Sequence, residues 1–250
     1  MMINKVEILG VKVDFIKLEN ALSLIEKWVN SNKKHQITTP NPEQIILAYN
    51  DYRFKEILNH SSLAVADGIG LVWAARLLKN QPARQFPRLS GVDLMVELCQ
   101  LAAKKNWSVF LLGGRDQAAE QAAEQLKKSY PQLKVGYDCG SSNVQKETEQ
   151  EKKAVVAKIN NFQPRLLFVA YGAPQQEKWL KQNLPFLKVK VAMGVGGAFD
   201  YLGGKVDRAP RSWQKIGLEW LWRLGHQPWR LGRQLRLIKF VLLVIKEKLF

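Results

Sequence analysis

The residues that could do chemistry stand where apolar runs stop and glycines or helices begin. Asp67 follows the run Leu63-Ala64-Val65-Ala66 and precedes Gly68. A carboxylate there can be a general base for an attacking hydroxyl, a ribose ligand, or the cap of the next helix. Arg88, in RLSGVDLM, is either an anion-binding guanidinium or an ordinary loop residue. Gly113-Gly114-Arg115 closes the run VFLL like a phosphate-binding turn. Thr39 and Asn41 flank Pro40 after another short run, Gln36 to Thr39. In GAPQQEKW (172–179), Gln175, Gln176 and Glu177 fall on the first turn of a helix, where free N–H groups can meet a ligand or be capped. The stretch 194–210, GVGGAFDYLGGKVDRAP, combines Gly196, Gly197 and Asp200 with downstream basic residues. Its glycines make either a tight loop or a place where a phosphorylated ligand can approach the backbone.

Several chemistries lack their motifs. There is no G-x-G-x-x-G and no G-x-x-x-x-G-K-[ST], which argues against a dehydrogenase and a P-loop enzyme. Cys99, Cys139, His35, His60 and His226 are not at metal-ligand spacing, so no zinc site is expected. No Asp-x-Asp occurs to hold a divalent metal on a nucleoside diphosphate. No cofactor is therefore expected. Cations or helix N-termini would have to stabilise such a leaving group, and Arg223, Arg230 and Arg233 are the candidates near the C-terminus.

These residues need elements to place them. Strands are expected near Gln36–Thr39, Leu63–Ala66, Val109–Leu112, Leu133–Tyr137, Leu166–Tyr171 and Val189–Val195. Helices fall between them, at Leu18–Val29, Glu43–Leu58, up to Leu78, Val92–Lys105, up to Ser129, Lys146–Asn160 and after Pro174; residues 6–15 read as an extended pair broken near Gly10. The alternation predicts an α/β fold, a mostly parallel, Rossmann-like sheet with helices on both faces. Ligands of such sheets sit at the carboxyl ends of the strands. Five strand ends would then face one crevice: Thr39/Asn41, Asp67-Gly68, Gly113-Gly114, Gly172 to Gln176, and Gly194 to Asp200.

At 250 residues and 46% hydrophobic, the chain can build a full core. Its net charge of +16 points to a phosphate-bearing partner: nucleic acid, an anionic membrane or a phosphorylated substrate. Residues 201–250 carry eleven Lys/Arg against three Asp/Glu, and Trp213, Trp220, Trp222 and Trp229. Leu231, Leu235, Ile238, Leu242, Ile245 and Leu249 recur at helical spacing there, and Leu237, Val241 and Val244 widen the stripe. The chain thus divides into an α/β catalytic domain, 1–211, and a C-terminal helical appendage, 212–250. The appendage either docks on the core or, as its charge and tryptophans favour, lies on an anionic membrane surface. The longest apolar run, Phe240 to Ile245, is too short to span a bilayer, and no signal peptide is visible. A cytosolic protein, peripheral to the membrane, is expected.

Taken in order, TPN (39–41), ADGIG (66–70), R-x-SG-x-DLM (88–95), LLGG (111–114), VAYGAPQQEKW (169–179), MGVGGAFDYLGG (193–204), RAP (208–210) and GLEW-x-x-RL with a later P-x-R (217–230) resemble the WecG/TagA/CpsF glycosyltransferases, family 26, over about residues 5–235. The resemblance implies a GT-E type fold and inverting, metal-independent transfer of an N-acetylmannosamine-type sugar. The donor would be a UDP-sugar. The acceptor would be a sugar on a polyprenyl diphosphate at the inner face of the cytoplasmic membrane, in cell-surface polysaccharide or teichoic acid biosynthesis. It implies Asp67 as the base and Thr39, Asn41, Arg88 and Gln176 as active-site or substrate-positioning groups. The glycine-rich stretch becomes part of the UDP site, and the appendage docks to the membrane and brings arginines to the pocket. Assembly as a homo-oligomer is left open. Two other readings compete. A nucleic-acid-binding protein explains the charge but not five polar strand ends, so nucleic acid is not an expected partner. A UDP-sugar sensor without catalysis would share the same pocket.

Overall fold

The computed structural model describes residues 3–141, 143–210, 212–213, 219–226 and 231–249; the side chains of Trp220, Arg223, His226, Leu231, Arg233 and Gln234 lie outside the described set. Two runs, VFLL and LLFVA, are apolar at every position, which suits strands covered on both faces. They lie in β5 (Ser108–Gly113) and β7 (Leu166–Ala170), neighbours near the middle of a six-stranded sheet. With β3 (His35–Thr38), β4 (Leu63–Ala64), β6 (Lys134–Asp138) and β8 (Val191–Gly194), the sheet runs β4-β3-β8-β7-β5-β6, and every pairing is parallel.

The two-residue period of a strand splits these runs between two cores. Leu166 and Phe168 face α1 (Leu18–Val29), α5 (Gly91–Lys105) and α6 (Ala118–Ser129). Leu167 and Val169 face α7 (Glu149–Phe162) and α8 (Gln175–Asn183) on the other side. The structure is therefore the α/β, Rossmann-like arrangement that the alternation predicts.

A third core lies beside the sheet. The hairpin of β1 (Asn4–Ile8) and β2 (Val11–Phe15) forms a separate antiparallel pair. It packs with α2 (Pro42–Asn50), α3 (Tyr52–Asn59) and α4 (Ile69–Lys79). The chain closes with α9 (Ala198–Leu202), α10 (Glu219–His226) and α11 (Leu231–Leu249). Phe240 and Val244 of α11 are fully buried in this third core, against α2 and α4. Burying two such side chains stabilises the docking by roughly 1.5–3 kcal/mol each.

That docking face is not the centre of the stripe but its flank, Val244 with Phe240 beside it. Leu235, Ile238 and Leu242 are 68%, 59% and 63% exposed, and Ile245 and Leu249 are exposed beside them. The side chain of Leu231 lies outside the described residues. Thus α11 is apolar on two sides, one seated on the protein and one facing outward.

Two expected helices differ in their ends. The span Glu43–Leu58 is two helices, because Asp51 leaves helical geometry (φ −131°, ψ 98°) and its carboxylate accepts the Phe54 N–H at 3.0 Å. An Asp that bonds nearby backbone competes with a continuous helix. The span Lys146–Asn160 begins later, at a capping box. Thr148 Oγ1 accepts the Glu151 N–H at 3.2 Å, and Glu151 Oε2 accepts the Thr148 N–H at 2.7 Å. The strand at Leu63–Ala66 shortens to Leu63–Ala64. Beyond it Val65 keeps one bond to β3, its N–H to the Thr38 carbonyl at 2.8 Å, and bridges Asp14, while the Ala66 N–H goes to the Asp14 carbonyl.

Candidate active site

Because the sheet is parallel, its strands all end on one edge, and the order of the strands decides which ends meet. β4, β3, β8 and β7 are adjacent, and their ends surround a cavity of about 240 Å3. Thr39 and Asn41 enter it after β3, Asp67 after β4, Gly172 and Gln176 after β7, and Gly196 and Gly197 after β8. β5 lies beyond β7. Its Gly113 and Gly114 share the edge but do not line this cavity. A Cβ at Gly113 would lie 2.8 Å from the Tyr171 ring, so close packing explains that glycine. Asp200 sits in α9 next to Tyr201, which lines the cavity, but does not line it itself.

Asp67 does not cap the helix that follows it. The N-cap of α4 is Gly68, at φ 99°, and no side chain caps there. Instead Asp67 Oδ2 accepts the backbone N–H of Gly91, the first residue of α5, at 3.3 Å, while its own N–H goes to the Pro40 carbonyl at 2.9 Å. Burial pushes the Asp67 carboxyl up to about 6, against the pull of Arg88 and of the Gly91 N–H; Glu219 and Asp93 push it further up. A carboxyl poised there is mostly ionised at neutral pH, yet a far better proton acceptor than an ordinary aspartate.

Arg88 does not line the cavity but lies close enough to act on Asp67. Its Nη2 donates to Glu219 Oε2 at 3.2 Å. Arg208 Nε donates to Glu219 Oε1 at 3.1 Å, and Arg208 Nη1 donates to Asp93. Burial opposes the charge of Arg208, but its two acidic partners outweigh burial and raise its pKa. Arg88, Glu219, Arg208 and Asp93 thus form a chain of alternating charge that joins α10 to the loop and helix beside Asp67.

Thr39 is buried, and its hydroxyl donates to the Gly194 carbonyl at 3.4 Å. Asn41 Oδ1 caps α2 by accepting the Gln44 N–H at 3.0 Å. Gln176 is 1% exposed, and its amide joins two loops: Oε1 accepts the N–H of Gly172 at 3.1 Å and of Gly196 at 3.0 Å. Its Nε2 donates to Glu177 Oε1 at 2.7 Å. The Gly196 N–H is therefore already engaged. What Gly196 offers a ligand is room, since a Cβ there would meet nothing within 4 Å and its φ is +53°.

Arg230 lies outside the described residues, as do the side chains of Arg223 and Arg233. Among the described residues no three His, Cys, Asp or Glu side chains group to hold a metal ion. Four polar residues escape sequence reasoning as site residues: Glu43 and Gln44 in the cavity wall, Arg208, and Glu219. RAP and GLEW are visible as motifs, but the ion pairs between them need the fold. Glu43 is held from outside by Arg236 of α11 at 2.5 Å.

The model of the family described as "Glycosyl transferase WecG/TagA/CpsF family" matches residues 6–250. A Bacillus subtilis (strain 168) protein is 34% identical over 233 residues, 92% of this chain and 87% of its own length. It is named N-acetylglucosaminyldiphosphoundecaprenol N-acetyl-beta-D-mannosaminyltransferase. A protein of the same name from Staphylococcus aureus (strain MRSA252) is 32% identical over 246 residues, 98% of this chain and 93% of its own.

Proposed function

The chain belongs to the glycosyl transferase WecG/TagA/CpsF family, and on that footing we propose that it moves an N-acetylmannosamine-type sugar from a UDP-sugar to a sugar carried on a polyprenyl diphosphate. The observation that carries the reading is Asp67. It is a carboxyl raised to about 6, lining a cavity where four strand ends meet, with an arginine behind it.

In the proposed step, Asp67 takes the proton of the acceptor hydroxyl as its oxygen attacks the anomeric carbon. The bond from that carbon to the UDP oxygen breaks, and its electron pair leaves with UDP. A single displacement inverts the anomeric centre. The charge that develops on UDP falls to arginines rather than to a metal, a view supported by the missing Asp-x-Asp. Arg88, whose charge acts on Asp67, is a described candidate.

The acceptor of this reaction would be lipid-linked, and α11 presents an outward apolar stripe flanked by Lys239 and Lys246. No helix of the described residues is long and apolar enough to cross a membrane. We therefore place α11 flat on an anionic bilayer, with the cavity reaching acceptors at the cytoplasmic membrane face.

The test is UDP release by the purified chain, in EDTA, with UDP-N-acetylmannosamine and a polyprenyl-diphosphate N-acetylglucosamine acceptor. Asp67→Asn should lower turnover by about 10²–10⁴ while keeping UDP binding. Unchanged turnover removes Asp67 from the base role, and no release by the wild type overturns the reading.

A further inference from the structure

Gln44 sits on the first turn of α2, a helix of nine residues whose N-terminus opens on the cavity. It lines the cavity with Asp67, Thr39 and Asn41, yet is only 6% exposed. Its backbone N–H is used by Asn41, but its side-chain Oε1 is fully enclosed and has no hydrogen-bond partner among the described residues. Leaving such an acceptor unpaired costs about 1–3 kcal/mol, and buried polar side chains are nearly always satisfied. The neighbours show the contrast. Gln176, across the same cavity, uses its amide for three hydrogen bonds. No protein hydrogen bond among the described residues restrains the Gln44 oxygen, and a turn about the soft terminal torsion of the amide is what would bring it to the cavity that Gln44 lines.

The partner this atom lacks is a donor. The oxygens of an ionised diphosphate only accept, so they cannot satisfy Oε1 as it is placed. A sugar hydroxyl or an acetamido N–H can, and a hydroxyl satisfies a carboxamide in either of its two orientations. We infer that Gln44 is a specificity-determining residue that hydrogen-bonds a hydroxyl or acetamido group on the ring of the transferred sugar. The inference rests on the function proposed above. It adds that the sugar, and not the diphosphate, is read by the wall formed by α2.

The test uses the full chain, wild type and Gln44→Met, a substitution that keeps length and removes the polar atoms. KM for UDP-N-acetylmannosamine and the calorimetric affinities of UDP-N-acetylmannosamine and of UDP alone are measured. The variant should raise KM about tenfold, the loss of one hydrogen bond to a neutral group. It should weaken the UDP-sugar by a similar factor and leave UDP unchanged, which also shows that the variant is folded. An unchanged KM, or equal weakening of UDP and UDP-sugar, overturns the inference even though the wild type turns over. A wild type that binds the UDP-sugar without transferring it defeats the proposed function, and the two affinities still decide the role of Gln44. A wild type that binds neither ligand overturns both.

Discussion

Arg88 donates to Glu219 at 3.2 Å across 131 residues of chain. The acidic end of that pair belongs to α10, and the basic end stands beside Asp67. Glu219 raises the proton affinity of Asp67 and Arg88 lowers it. Replacing Glu219 by Gln removes a negative charge near the base, so the Asp67 pKa should fall. Because Asp67 acts ionised in the proposed step, the acid limb of the kcat/KM profile is expected near its value of about 6 in the wild type and at lower pH in the variant. A limb that stays in place would show that Glu219 has no electrostatic hold on the base.

Arg88→Gln should move the same limb the other way. Without the guanidinium, burial acts on Asp67 with less opposition, and the pKa rises. Turnover on the plateau should fall as well if Arg88 takes up charge that develops on UDP, as proposed. Opposite shifts for Glu219→Gln and Arg88→Gln in the pH profiles are the expected signature; shifts of the same sign would refute it.

Glu177 predicts a stability effect with a definite sign. It is fully buried, Gln176 is its side-chain hydrogen-bond partner, and burial pushes its carboxyl up to about 7 against that bond and the pull of its own backbone N–H. A carboxyl whose pKa is raised by folding favours the native state below its unfolded value and loses that advantage as pH rises through the folded value. The loss for Glu177 therefore runs from about 4.5 to about 7. Glu177→Gln should gain stability relative to the wild type above pH 7, by roughly 3 kcal/mol at most. The two should converge near pH 4. Urea melts at both pH values measure it, and a constant difference would exclude a titrating Glu177.

Much of this architecture is written locally. The runs in β5 and β7 are apolar at consecutive positions, Thr148 and Glu151 spell a helix start, and Asp67 falls after an apolar run, so the sheet and its edge of strand ends are legible. The order of the strands is not, since it depends on crossovers between distant segments. That order separates Gly113 and Gly114 from the cavity that Thr39 and Gln176 enter. Gln44 is illegible for another reason. In sequence it is one more polar residue on a helix, and only packing shows that its oxygen is enclosed. The α11 stripe is legible as a pattern, and so is Val244 as a residue that widens it, but that the helix docks through Val244 and Phe240 rather than through the centre of the stripe is not.

The outward face of α11 can be tested without disturbing its inner face. Leu235→Ser, Ile238→Ser and Leu242→Ser together should sharply reduce binding to anionic vesicles, measured by flotation, while the melting temperature stays within about 2 °C because these side chains are exposed. Phe240→Ala should instead cost about 3–5 kcal/mol of stability. Vesicle binding that survives the triple substitution would send the membrane contact elsewhere.

The inner face of α11 reaches further than its own docking. A Cβ at Gly70 would lie 2.6 Å from Pro42 and 3.8 Å from the Phe240 ring, and Arg236 grips Glu43 at the cavity wall. The C-terminal helix is thus a buttress for the segment that carries Asn41 and Gln44. A chimera that exchanges this tail would replace in one step the contacts to Gly70 and Glu43 and the outward apolar face. In recombination, natural or engineered, the two traits are inherited as one.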